Sequence, residues 1–389
     1  MRLAIFSDTF PPPATNGVAY VAYQSAKGLA DMGHTVMVFT ISKNAAHYKK
    51  SNRDNFTVCC LPSFPAMAYK NERLTIPAGF SFNRLRKFKP DIIHTHTPFA
   101  VGWEAVLGAK LLKIPLIGTH HTFYDHYLKH VKLDYDWAKK LSWKITAGYY
   151  NHCDLVLCPS VALAEAMKNK GLKKPVIIFK NSINTNLFRP AADNQVKQRL
   201  KERFNIPAQS LVYMGRVSYE KSLDQVIKSF ALTLAKKPNL RLMIIGDGPE
   251  KINLENLAAD LKIKNNVIFT GFLYDQDLVE ALQANDVFLT ASKSENMPLS
   301  VLEAMAVGLP IISVREKGLA EIVKENINGF FARTDDPADL AQKTLDLLGD
   351  DERLAKFGAA SRQLALEYSE EKVLKDLEKL YKKLLQEYR

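Results

Sequence analysis

The sequence predicts an α/β protein built from two doubly wound domains with parallel sheets. Three observations carry that prediction. Short, continuous apolar runs alternate with segments of helical period along almost the whole chain. The alternation repeats independently in each half, as two Rossmann-like domains would require. Between the halves, residues 181–209 break the rhythm with Asn, Pro, Gln and charged residues, which marks a linker.

Taken in order, the expected strands of the first half are Leu3–Phe6, Thr35–Thr40, Phe56–Leu61, Asp91–His94, Leu116–Thr119, Asp154–Cys158 and Val176–Phe179. Those of the second half are Leu211–Met214, Arg241–Ile245, Asn266–Thr270, Asp286–Thr290 and Pro310–Val314. Helical stretches include Val18–Met32, Lys221–Lys236, Glu250–Leu261 and Leu299–Val307. The last, Ser369–Arg389, sets Leu374, Leu377, Leu380 and Leu384 on one stripe. Domain boundaries are expected at 1–185 and 186–368. Ligands of such sheets bind beyond the carboxyl ends of the strands, so chemistry is sought there.

The chain has 389 residues, 47% hydrophobic and 24% charged, an ordinary globular balance that excludes disorder, collagen and a long coiled coil. No apolar run approaches the roughly 18 residues of a membrane span, so any membrane role is expected to be peripheral. The opening apolar run is too short for a signal peptide, which leads us to expect a cytoplasmic protein. Cys59, Cys60, Cys153 and Cys158 form no Cys-x-x-Cys pair and are expected to be reduced, buried thiols. Charge is uneven: residues 1–180 hold 24 Lys and Arg against 11 Asp and Glu, whereas residues 181–389 hold 29 against 30. The first half is therefore expected to meet an anionic partner.

Five constellations stand at strand ends. Gly215-Arg216-Val-Ser-Tyr-Glu-Lys221 puts two cations at a strand–helix junction, which suits a diphosphate; the plainer reading is Arg216 paired with Glu220. Glu295-Asn296-Met297-Pro298-Leu299-Ser-Val-Leu-Glu303 puts two carboxylates around a helix start. They could accept from sugar hydroxyls, and the amides of Met297–Ser300 would be open donors. Glu303 lies in an otherwise apolar helix, where a charge needs a partner. Asn16-Gly17 after the first strand allows close backbone approach at a helix start. His120 and His121 end another strand and could act as donors or acid–base groups, as could His94 and His96. A metal site is not supported, because no further ligand completes one. Finally, residues Phe123–Tyr150 interleave aromatics with lysines, a pattern of membrane-interface helices, of single-strand nucleic-acid binders, or of a plain core with solvated lysines.

Together these motifs resemble glycosyltransferase family 4, retaining, nucleotide-sugar-dependent enzymes of GT-B fold, over most of the chain. The resemblance rests on Gly215-Arg216 with Lys221, the Glu295/Glu303 pair followed by Ala304-Met305-Ala306, the loop Ile245-Gly-Asp-Gly-Pro249, and Asn16-Gly17. Asp91-Ile-Ile-His-Thr-His-Thr-Pro98 and His121-Thr-Phe-Tyr-Asp-His-Tyr127 are most similar to bacterial 1,2-diacylglycerol 3-glucosyltransferases. The resemblance implies two Rossmann-like domains facing across a cleft, with helix 369–389 packing back on the first. It implies that Arg216 and Lys221 hold the donor diphosphate in place of a metal. Glu295 would meet the donor sugar, Glu303 the ribose, and the segment Asn296, Met297, Pro298 and Leu299 the sugar and phosphate. Gly17 would approach the diphosphate, and His121 the reacting centre. Two departures stand out. Lys180-Asn-Ser-Ile-Asn184 replaces the family's Pro-Asn-Gly-Ile/Val-Asp, and Pro298 replaces a Gly, which removes one amide donor.

The implied reaction is glucosyl transfer from UDP-glucose to the sn-3 hydroxyl of diacylglycerol, with the α configuration retained and no cofactor or metal. The partners are the nucleotide sugar, the lipid acceptor and an anionic membrane surface at the cytoplasmic face, but no nucleic acid. The nearest alternative is a lipid mannosyltransferase using GDP-mannose. A non-hydrolysing nucleotide-sugar epimerase and a nucleic-acid-binding protein are further readings, and a dehydrogenase is disfavoured because no G-x-G-x-x-G opens either domain.

Overall fold

A computed structural model describes residues 1–11, 16–41, 56–65, 73–124, 135–206 and 209–388. It divides into two compact units, Met1–Ser182 with Glu370–Arg389, and Ile183–Ser369.

The first unit runs β1 (Arg2–Phe6), α1 (Gly17–Asp31), β2 (Thr35–Ile41), β3 (Phe56–Leu61), the short hairpin β4 (Phe64–Pro65) and β5 (Arg73–Leu74), and α2 (Phe82–Phe88). It continues with β6 (Ile92–Thr95), α3 (Ala100–Leu112), β7 (Leu116–Thr119), α4 (Asp136–Tyr150), β8 (Leu155–Cys158), α5 (Val161–Asn169) and β9 (Val176–Ile178). The hairpin strands were not anticipated; two-residue strands leave no periodicity to read. Seven strands pair in the order β3-β2-β1-β6-β7-β8-β9, all parallel. β6, β7 and β8 are buried along their whole length, which is why they read as unbroken apolar or small runs. The strand order reverses between β1 and β6, and Asp8, on the loop after β1, spans that point. Its carboxylate accepts from the Val101 amide at 3.1 Å and the Thr97 hydroxyl at 2.5 Å, and so holds the start of α3. Glu104 on α3 is fully buried and gathers the amides of Gly79, Phe80 and Ser81 and the Ser81 hydroxyl. Four donors replace its water and fix the approach to α2.

The second unit runs α6 (Asn194–Arg203), β10 (Ser210–Met214), α7 (Leu223–Leu234), β11 (Arg241–Ile245), α8 (Lys251–Asp260), β12 (Val267–Gly271), α9 (Asp275–Gln283) and β13 (Val287–Leu289). It ends with α10 (Leu299–Ala306), β14 (Ile311–Val314), α11 (Leu319–Ile322), β15 (Gly329–Ala332), α12 (Pro337–Leu348) and α13 (Asp351–Leu366). The parallel sheet is ordered β12-β11-β10-β13-β14-β15, so its reversal lies between β10 and β13. β15 was not anticipated: Gly329-Phe-Phe-Ala332 is short and begins with Gly, although all four residues are buried. The expected helix from Lys221 is two elements. Tyr219–Lys221 form a 3₁₀ turn, and Ser222, at φ 51° in the left-handed region, separates it from α7.

The chain then returns to the first unit as α14 (Glu370–Tyr388). Leu374, Leu377 and Tyr381 are its buried stripe, set against α1 and the β1 face of the sheet. Gly28 makes the seat: a Cβ there would lie 2.1 Å from a Leu374 methyl carbon.

Candidate donor site and imidazole cluster

In the second unit the reversal point gathers the charged residues singled out in the sequence. Arg216 follows β10 and Lys221 closes the 3₁₀ turn, while Glu295 stands on the loop after β13 and Glu303 on α10. Lys221 Nζ lies 2.6 Å from Glu295 Oε1, and the two side chains are only 15% and 16% exposed. Such a pair is partly desolvated and holds both groups in place before any ligand arrives. The plainer reading of Arg216 is not realised: Glu220 Oε1 accepts instead from the Ser218 hydroxyl at 2.7 Å. The Arg216 side chain is exposed and forms no ion pair among the described residues. The loop carrying Glu295 is tied to the turn carrying Lys221 by Ser294, whose hydroxyl donates to the Glu220 carbonyl at 3.3 Å.

Two glycines shape these loops. A Cβ on Gly318 would lie 1.2 Å from the Asn296 carbonyl oxygen, and the Gly318 amide donates to the Glu295 carbonyl at 3.1 Å. Gly246, at φ +133°, lets the loop after β11 close on that after β10: a Cβ there would meet the Gly215 carbonyl at 2.0 Å. Sequence reasoning missed Gly318; a lone Gly before a short helix carries no signal by itself.

The segment 296–299 is corrected in part. Asn296, Met297 and Pro298 are buried, and Met297 belongs to the core with Val301 and Leu302, so its side chain packs. Pro298 is the extended N-cap of α10 rather than part of its first turn, and it has no amide. Within α10 the open donors begin at Leu299, since Leu302 is the first to bond back, to the Pro298 carbonyl. Glu303 is partly buried, its carboxyl has no hydrogen-bond partner among the described residues, and burial pushes that carboxyl up to about 8. At neutral pH it is a neutral acid that can both donate and accept. Phe272 and Tyr274, exposed and stacked at 6.3 Å after β12, add an aromatic face to the same edge of the sheet.

In the first unit, Gly17 is the exposed first residue of α1, whose N-cap Asn16 accepts from the Ala19 amide. His121 follows β7, buried within a set of imidazoles. Its Nε2 lies 3.1 Å from His96 Nδ1. His94 bonds Tyr381 and Thr119, each at 2.6 Å. Burial holds His94, His120 and His121 down at about 3, so the cluster is neutral. The aromatic–lysine strip divides in two. Phe123, Trp143, Tyr149 and Tyr150 are core, whereas α4 exposes Trp137, Leu141 and Ile145 beside Lys140 and Lys144. Residues Asp125, His126, Tyr127, Lys129 and Lys132 of that strip lie outside the described residues. Among the described residues, no helix is long and apolar enough to cross a membrane. Cys59, Cys60, Cys153 and Cys158 are free thiols.

Comparison with known proteins bears on both units. Residues 15–187 match the model of Glycosyltransferase Family 4, and residues 194–364 that of Glycosyl transferases group 1. The chain is 30% identical to the alpha-monoglucosyldiacylglycerol synthase of Streptococcus pneumoniae, over 85% of this chain and 74% of that protein. It is 28% identical to the enzyme of the same name from Acholeplasma laidlawii, over 99% and 98%. Among solved structures, Anabaena HepE in complex with UDP superposes with a TM-score of 0.81 at 16% identity, covering 98% of this chain and all of that one. The chain therefore belongs to glycosyltransferase family 4, nucleotide-sugar-dependent enzymes of the GT-B fold.

Proposed function

We propose that the protein transfers glucose from UDP-glucose to the sn-3 hydroxyl of 1,2-diacylglycerol, with retention of the α configuration and without a metal. The observation that carries the reading is the Lys221–Glu295 pair at the strand reversal of the second unit, with the exposed guanidinium of Arg216 on the same loop after β10. A diphosphate is the dianion such a site suits: Arg216 supplies a bidentate grip, Lys221 a point charge and the α10 amides from Leu299 further donors. Glu295 accepts from sugar hydroxyls and Glu303 from the ribose. Gly17 approaches the diphosphate, and His121 meets the sugar.

In the reaction the bond between the sugar C1 and the β-phosphate oxygen breaks. The acceptor oxygen bonds C1 on the same face, and its proton passes to the departing phosphate. Arg216, Lys221 and the amides stabilise the charge that grows on that phosphate. The names of the two glucosyldiacylglycerol synthase relatives support the lipid acceptor. A bilayer acceptor needs docking, and the basic first half with the exposed Trp137, Leu141, Ile145, Lys140 and Lys144 of α4 suits an anionic cytoplasmic leaflet. Each basic residue near that surface adds about 1 kcal/mol.

The test offers UDP-glucose, UDP-galactose and GDP-mannose separately, with diacylglycerol in anionic vesicles and EDTA present, and analyses the lipid product by mass and sugar. The reading expects an α-glucosyl lipid from UDP-glucose, in a yield that falls with salt and with loss of anionic lipid. A product only from GDP-mannose, a strict metal requirement, or a β-linkage would overturn the corresponding part.

A further inference from the structure

Four buried histidines, His94, His96, His120 and His121, stand at the carboxyl ends of β6 and β7. Their hydrogen bonds differ: His120 has no partner at either ring nitrogen among the described residues, whereas His96 bonds a second ring through one nitrogen only. His94 is satisfied at both nitrogens, by Tyr381 and Thr119. His96 presents Nδ1 to His121 Nε2 at 3.1 Å, with the two rings 11° from parallel. Two neutral imidazoles bond in this way only when one facing nitrogen carries a proton and the other does not. The tautomer of one ring therefore dictates that of the other. On its far side His96 lies against His94, at 4.3 Å between ring centres, and His94 is itself pinned. The outer nitrogen of His96, Nε2, is buried and has no hydrogen-bond partner among the described residues. It is unsatisfied in either tautomer, which costs stability. An apolar side chain would remove that cost but would leave His121 Nε2 without its partner, so what the imidazole contributes here is the bond to His121.

We propose that His96 is a positioning residue that fixes the ring plane and tautomer of His121, and thereby the polar edge that His121 turns to the donor sugar. The inference rests on the reading of His121 given above. The order of effect runs from a pinned His94, through His96, to His121.

The experiment labels the protein with [15N]histidine and compares ring nitrogen shifts and steady-state kinetics in His96→Leu, His96→Asn and His121→Asn. Asn keeps an amide close to the place of Nδ1, and His121→Asn assigns the His121 signals. In the wild type, the His121 ring is expected in one neutral tautomer. In His96→Leu the His121 shifts move toward a mixture of tautomers, and kcat on UDP-glucose and diacylglycerol falls by about ten- to a hundredfold. Donor KM is little changed and the protein stays folded. His96→Asn restores the shifts and much of the rate. Unchanged His121 shifts and kcat in His96→Leu, or a loss of folding stability without a change in tautomer, would overturn the proposal. Full turnover in His121→Asn would instead sink the role given to His121, while the ring shifts would still decide whether His96 orients it. If no donor supports turnover in the wild type, the function reading fails and the shifts alone test His96.

Discussion

The two units share one strand order, with a reversal after the first strand, but they put opposite chemistry at the reversal and its neighbouring strand ends. In the second unit it is ionic: Arg216 and the Lys221–Glu295 pair, with the protonated carboxyl of Glu303 on α10. In the first it is mostly uncharged: imidazoles held neutral by burial and threonine hydroxyls, with Asp8, which burial pushes up to about 6, engaged by Thr97 and Val101. The fold supplies the location twice, and the residues after each strand decide what can bind there. Charged groups suit a pyrophosphate, and neutral hydrogen-bonding groups suit hydroxyls.

The comparison breaks first at Lys221 and Glu295. Lys221→Ala and Glu295→Ala are each expected to lower kcat/KM about a hundredfold or more while circular dichroism and melting stay close to wild type. Wild-type rates in both would mean that the ionic site is not where the donor reacts. Arg216→Lys keeps the charge but loses the planar fork. About a tenfold rise in donor KM is expected, and an unchanged KM would show that bidentate contact is not used.

The pattern of success in the sequence reading has a physical basis. Strands buried on both faces leave continuous apolar runs, so β7 and β11 are legible to the residue. β15, short and opened by Gly329, was not. Of the motif residues, Lys221 and Glu295 stand after β10 and β13, on loops that the strand–helix alternation predicts, and meet there. The seating of the loop bearing Glu295 was not legible: Gly318 acts through a contact with Asn296 more than 20 residues away in sequence. Nor was the His96–His121 bond, because β6 and β7 are joined through α3 and only the sheet register brings their ends together.

Smaller effects sharpen the contrast through pH. Glu303 has a carboxyl raised to about 8, so the folded state binds a proton that the unfolded state has lost above its ordinary value of 4.5. Wild-type stability is therefore expected to decline as pH rises from about 4.5 to 8. Glu303→Gln removes that decline and is expected to be more stable than wild type at pH 9, by on the order of 1–3 kcal/mol after allowance for partial exposure, in urea unfolding. The same variant is expected to weaken donor binding. Asp8→Asn behaves likewise over a lower window, with the decline between about pH 4 and 6 removed and a smaller effect above it. Parallel pH–stability curves for variant and wild type would show that neither carboxyl is held protonated by burial.

The central claim is that the cations of the second unit bind a nucleoside diphosphate without a metal. Calorimetric titration of the full chain with UDP in EDTA, for wild type and Lys221→Ala at rising salt, tests it directly. The account predicts binding by the wild type that weakens with salt, and an affinity at least about tenfold lower with a shallower salt slope in the variant. Equal affinity in the two proteins, or binding that appears only when a divalent cation is restored, would contradict it.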